Sequence, residues 1–189
     1  MTPSLLPPLA TRPAKPLSES RPPIPETRAA VRTVTAGTVV SAGAMPVPVD
    51  IAVHEDVAVP MRDGIALYGD IYLPATAAGK LPAILIYTPY SKRGGYWNLN
   101  FNATKFGVPA GDLTGLQPFE SLDPGDWCAH GYAIVVVDSR GTSHSGGDFR
   151  FMGSGVGEDL FDTIEWIAAP GWCSGALGLA GNSQPAIAQ

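Results

Sequence analysis

The chain has 189 residues, a hydrophobic share of 45% and a net charge of −5; that apolar content excludes a disordered chain, and without a basic block nucleic acid and anionic membranes are excluded as partners. No apolar run approaches the ~20 residues that cross a bilayer, and no charged segment leading into an apolar core marks a secretory signal, so the cytoplasm is the default compartment. Two cysteines, Cys128 and Cys173, are too few for a disulfide framework or a metal cluster and read as buried thiols; no metal or organic cofactor is implied.

About half of the 19 prolines fall before Val49. Pro7-Pro8, Arg21-Pro22-Pro23 and Ile24-Pro25 rule out helix interiors and central strands there. Residues 1–48 are therefore expected to be a Pro-rich disordered leader, and residues 49–189 the folded part. Ile51 to Val59 reads as a strand, Pro60-Met-Arg-Asp-Gly64 as an Asp-Gly turn, and Ile65 to Leu73 as the answering antiparallel strand. Leu81 to Tyr87 is a continuous apolar run, the pattern of a strand covered on both faces. It leads into Thr88-Pro-Tyr-Ser-Lys92 and then an irregular stretch, about Tyr96 to Pro124, with Trp97, Phe101, Phe106 and Phe119 among Asn, Gly and Pro. Such an insertion in a compact domain is functional or mobile, and here it is expected to help shape a substrate pocket.

Asp126 to His130 reads as the end of a short helix closed by Gly131, and Tyr132 to Asp138 as a buried strand. Glu158 to Ala169 is an amphipathic helix with acids at its positive end, stopped by Pro170-Gly171. Ala176 to Ala180 reads as a final buried strand. Alternating strands and helices of this kind predict an α/β fold: a mainly parallel sheet with helices on both faces and an N-terminal antiparallel hairpin. In such sheets chemistry collects at the carboxyl ends of strands. Tyr90, Ser143, His144 and Ser183 all follow such ends.

The final strand runs into Gly181-Asn182-Ser183-Gln184-Pro185-Ala186, then into small and apolar residues suited to a helix start. A serine at the apex of a strand–turn–helix is lifted clear of the sheet, and the N–H of the next residue, Gln184, points at the oxygen of a bound carbonyl. Gly181 suits a turn too tight for a side chain, and Pro185 falls in the first helical turn, where a missing N–H costs nothing. Ser183 reads either as a nucleophile or as a serine that merely caps the helix.

Val59-Pro-Met-Arg-Asp-Gly64, Thr88-Pro-Tyr-Ser-Lys92, Gly131 to Gly141, Trp172-Cys-Ser-Gly175 and Gly181-Asn-Ser183 stand in one order and spacing. Together, from about His54 to Gln189, they resemble the α/β-hydrolases of the cocaine-esterase and Xaa-Pro dipeptidyl-peptidase type. The resemblance implies the α/β-hydrolase fold and a serine hydrolase acting on a small ester, amide or peptide. It implies Ser183 as the nucleophile that forms an acyl-enzyme, the Gln184 N–H as one oxyanion donor and the Tyr90 hydroxyl as the other. Asp138 and Arg140 would tie their loop together. The chain departs from the family pattern at Gln184, commonly aromatic, at Pro185, commonly aliphatic, and at Ser143, where many relatives have glycine.

Acyl transfer by serine needs a base and an orienting carboxylate, in this fold after the serine in the chain. Only six residues follow Ser183, none of them Asp, Glu or His, and His54, His130 and His144 all precede it. Of these only His144 lies at the active edge of the sheet; His54 and His130 are expected to be structural. The sheet and the helix after the elbow are expected to be incomplete at the C-terminus, as in an N-terminal fragment that lacks acid and base and has little activity by itself. The competing expectation is a catalytically inactive binding or decoy module, or a non-functional gene fragment. A nucleotide-binding domain is disfavoured because no glycine loop at a strand–helix junction could cradle phosphate.

Overall fold

The computed structural model describes Pro13 and residues 29–93 and 107–189. Its strands are β1 (Ala30–Val34), β2 (Ile51–Pro60), β3 (Ala66–Pro74), β4 (Leu81–Thr88), β5 (Ala133–Asp138) and β6 (Cys173–Leu179), and its α-helices are α1 (Pro124–Ala129), α2 (Ser154–Ala168) and α3 (Gln184–Ile187). The six strands form one sheet in the order β1-β2-β3-β5-β4-β6. From β1 to β5 neighbours run antiparallel, whereas β4 runs parallel to both β5 and β6. The sheet is therefore mixed, with the parallel part at the end that carries the elbow.

The hairpin forms where the turn chemistry placed it. Met61 N donates to Ile65 O at 2.8 Å, Gly64 N to Met61 O at 3.0 Å, and Gly64 takes the left-handed φ of 82° that a side chain would resist. The continuous apolar runs of β4 and β5 follow from burial on both faces. Leu85, Tyr87, Val135 and Val137 join Val156, Leu160 and Ile167 of α2 on one side. Ile84, Ile86, Ile134 and Val136 meet Ile51, Val53 and Cys128 of α1 on the other. Both cysteines are buried free thiols, and burial pushes the Cys128 thiol up to about 12.

Several expectations need correcting. The folded part begins before residue 49: Ala30–Val34 pairs with β2, and Val34 and Val47 are buried in the core. Proline thins out after Pro25, and an Ala-Val-Arg-Thr-Val run can hydrogen-bond to an open edge. The rest of the predicted leader, residues 1–28 apart from Pro13, lies outside the described residues, as do residues 94–106 of the insertion with Trp97, Phe101 and Phe106. Helix α2 starts at Ser154, not Glu158, so no acid stands in its first turn. Asp159 and Asp162 serve arginines instead (below). Finally, β6 is not a buried strand. Among the described residues its partner is β4 on one side only, and Ser174, Gly175, Ala176, Gly178 and Leu179 are exposed.

Candidate active site

The elbow is built from its backbone outward. Ser183 has φ 55° and ψ −121°, a region that L residues rarely enter and that costs on the order of 1–3 kcal/mol. Its side chain makes no capping bond to α3 and is exposed, so it is not a helix-cap serine. The turn is as tight as the sequence requires: a Cβ on Gly181 would lie 2.5 Å from Pro185 Cβ and 3.0 Å from the Pro185 carbonyl carbon. Pro185 sits in the first turn of α3, as expected. The N–H of Gln184, at the first helical position, has no intrahelical acceptor. Ala186 and Ile187 donate instead to the Ser183 carbonyl, at 3.1 and 2.9 Å. An exposed serine hydroxyl and a free amide thus coincide at one turn.

Tyr90 stands two residues beyond β4, and Ser183 four beyond β6, at the carboxyl ends of neighbouring parallel strands. The Tyr90 loop is fastened by charge. Lys92 is 3% exposed; its N donates to Asp138 Oδ1 at 2.6 Å, and its Nζ lies 2.9 Å from Asp138 Oδ2 and 3.0 Å from Asp56 Oδ1. Burial pulls the Lys92 ammonium down, but Asp138, Asp70 and Asp56 outweigh it and leave its pKa raised. Arg93 adds contacts to Asp70 at 2.7 Å and Asp56 at 3.0 Å. Asp56 occupies a bulge in β2 with φ 52°, which turns an acid inward where strand alternation is broken. The network thereby ties β2, β3 and the end of β5 to the segment that presents Tyr90.

A second network fixes the loop after β5. Arg140 pairs with Asp159 at 2.6 Å and Asp63 at 2.8 Å, and its N donates to the Tyr87 hydroxyl at 3.1 Å. The hydrogen bond from Arg140, set against desolvation, holds the Asp63 carboxyl below its usual range. Asp138 and Arg140 therefore do bind their loop to the rest of the molecule.

The irregular stretch reaches the same place. The Phe119 ring meets Tyr90 edge to face, with centroids 5.1 Å apart. The Glu120 carbonyl accepts from Asn182 N at 3.0 Å, one residue before Ser183. Burial first, and then the Glu120 carboxylate beside it, push the Tyr90 phenol above its usual range. Sequence reasoning missed Glu120 because an acid in an aperiodic loop carries no signal of where it folds. It passed over Lys92 although the lysine stood inside the quoted block; the inward acids Asp56 and Asp138 were the clue.

The three histidines do not complete a triad. Among the described residues the Ser183 hydroxyl has no hydrogen-bond partner, so His144 is not joined to it. His130 places Nδ1 2.9 Å from the Asp126 carbonyl of its own helix, and His54 lies within β2 opposite Ile71. No helix among the described residues is long and apolar enough to cross a membrane.

Residues 63–189 match the sequence model of a family described as X-Pro dipeptidyl-peptidase (S15 family). The chain is 33% identical over 138 residues to cocaine esterase of Rhodococcus sp. (strain MB1 Bresler), covering 73% of this chain and 20% of that protein. A CocE/NonD family hydrolase from Staphylococcus aureus superposes with a TM-score of 0.71 at 28% identity, over 86% of this chain and 27% of that one. An aminopeptidase from a Thaumarchaeota archaeon shares the fold, with a TM-score of 0.55 at 24% identity, over 74% of this chain and 22% of that one. The chain spans about a fifth of the length of the curated relatives it matches.

Proposed function

Because the chain belongs to the X-Pro dipeptidyl-peptidase (S15) family of α/β-hydrolases, we propose that it carries the nucleophile and oxyanion hole of a serine hydrolase acting on small esters, amides or Xaa-Pro peptides. The observation that carries this is the Ser183 backbone, strained at φ 55° with an exposed side chain that caps nothing. In the proposed reaction Ser183 Oγ attacks the substrate carbonyl carbon and its proton passes to a histidine base. Negative charge gathers on the carbonyl oxygen, where the Gln184 N–H and the Tyr90 hydroxyl receive it. The carbon–leaving-group bond breaks, the histidine protonates the departing alcohol or amine, and water then hydrolyses the acyl-serine.

The base and its carboxylate would come from outside these 189 residues, since the Ser183 hydroxyl meets no base among the described ones. The chain by itself is accordingly expected to turn over little or no substrate, and a purely binding role is the second reading that this same observation favours. The deciding experiment is phosphonylation of the native polypeptide by a fluorophosphonate, read by mass spectrometry alongside ester hydrolysis. Label on Ser183, with hydrolysis abolished in Ser183→Ala, supports the hydrolase. A native polypeptide that hydrolyses esters equally well as Ser183→Ala refutes it, and one that neither labels nor hydrolyses favours the binding role.

A further inference from the structure

The chain that leaves β4 comes back to the residue beside which it left. Thr88, the last residue of β4, stands in register with Asp138, the last residue of β5. Four residues later Lys92 returns to the same aspartate: its backbone N–H donates to Asp138 Oδ1 at 2.6 Å, and its Nζ donates to Oδ2 at 2.9 Å. Both oxygens of one carboxylate thus hold one lysine, and Tyr90 is the middle residue of the closed loop. Inside the loop the Tyr90 N–H donates to Thr88 Oγ1 at 3.1 Å. Ser91 then takes the left-handed φ of 81° that turns the chain back. The anchors are out of water: Thr88 and Asp138 are fully buried and Lys92 nearly so. A buried ion pair adds little net stability over apolar packing, and a chain reversal of this length needs no buried charge. What the pair does supply is a fixed geometry, through short charge-assisted bonds that resist opening.

We propose that Lys92 and Asp138 are positioning residues that clasp the two ends of the Tyr90 loop and so fix where the Tyr90 hydroxyl stands. The proposal rests on the hydrolase reading, with Tyr90 as the second oxyanion donor. The hydroxyl sits at the far end of the ring, so a small rotation of the backbone at Tyr90 becomes a larger displacement at the donor. An oxyanion donor is effective when it is already in place as charge develops. Phe119 meets the ring from one side, with centroids 5.1 Å apart, but a ring contact does not hold the backbone behind it. The clasp does, and it acts only through Tyr90. Its loss therefore weakens stabilisation of the transition state and leaves ground-state binding of the ester nearly as it was.

The test is a double-mutant cycle on the native polypeptide, with p-nitrophenyl acetate as substrate. Lys92→Met removes the ammonium at similar length but strands buried carboxylates. Asp138→Asn is the gentler variant: it keeps an oxygen for the Lys92 N–H and sets an amide NH2 against Nζ. Circular dichroism and the urea midpoint establish which chains are folded, and Asp138→Asn decides the outcome if Lys92→Met does not fold. In the folded variants kcat is expected to fall about tenfold with KM nearly unchanged, a smaller loss than in Tyr90→Phe. Placed in the Tyr90→Phe background, the same substitutions are expected to change kcat by less than about twofold, because the donor they position is already gone. A merely structural clasp would instead lower the rate by the same factor in both backgrounds, and that result overturns the proposal. So does a folded Asp138→Asn with wild-type kcat while Tyr90→Phe is slow; the hydrolase reading survives both results. If Ser183→Ala hydrolyses the ester as fast as wild type, the hydrolase reading itself falls and the proposal falls with it.

Discussion

The tightest constraint in the molecule is a missing methyl group. Gly181 has no room for a Cβ because Pro185 and its carbonyl carbon already fill that space. Gly181→Ala must push the start of α3 away from the strand, and Ser183 and the Gln184 N–H ride on that turn. The expected result is at least a tenfold slower fluorophosphonate labelling of Ser183, with the far-ultraviolet circular dichroism little altered. Labelling at the wild-type rate would mean that the elbow flexes enough to absorb the methyl. Both Gly181 and Ser183 were legible in the sequence because a strand–turn–helix with a serine apex is a local pattern. Glu120 was not, because its bond to Asn182 exists only in the folded chain.

At the scale of elements, α2 is locked to the sheet by charge as well as by its apolar stripe. Arg140 joins Asp159 of α2 to Asp63 of the β2–β3 turn, and the Tyr87 hydroxyl donates to Asp159 at 3.2 Å. Removing one partner of a buried ion pair strands the other, which costs ~3–5 kcal/mol. Asp159→Ala should fall toward the lower end of that range, since Asp63 remains to Arg140, and the urea midpoint is the measurement. An unchanged midpoint would show that the apolar contacts of Val156, Leu160 and Ile167 hold the helix alone. The sequence placed this helix by its periodicity but began it four residues late. Gly153, Ser154 and Gly155 give no apolar signal, and the acids taken for helix-dipole partners were committed to Arg140 and Arg62. Similarly, β1 was hidden within a proline-rich stretch because its five residues are mostly exposed and so show no alternation.

For the whole molecule, the asymmetry of the sheet matters most. Among the described residues one edge is β1, short and mostly exposed, and the other is β6, with exposed Ala176, Gly178 and Leu179. An exposed apolar edge is a template for strands of other chains. The 189-residue chain in isolation is expected to self-associate as its concentration rises, and Ala176→Lys to suppress this, as light scattering would show. A wild-type chain that stays monomeric would contradict the expectation. That β6 would be an apolar strand left at an exposed edge was expected from the sequence; that β4 would be its neighbour was not, because strand order is a property of the assembled sheet.

The pairing of β4 with β6 also has a consequence in time. Leu85 lies beside Leu179, with the insertion, β5 and α2 all between them in sequence. Closing so long a loop is entropically slow compared with zipping a hairpin. During synthesis the β2–β3 hairpin and the parallel β4–β5 pair can form while the elbow segment is still in the ribosome. The proposed oxyanion donors, the Tyr90 hydroxyl and the Gln184 N–H, can meet only after the elbow strand emerges and docks. A folding intermediate without a docked β6 would therefore hold the Tyr90 loop in place and lack the elbow, so the proposed site would assemble late in folding.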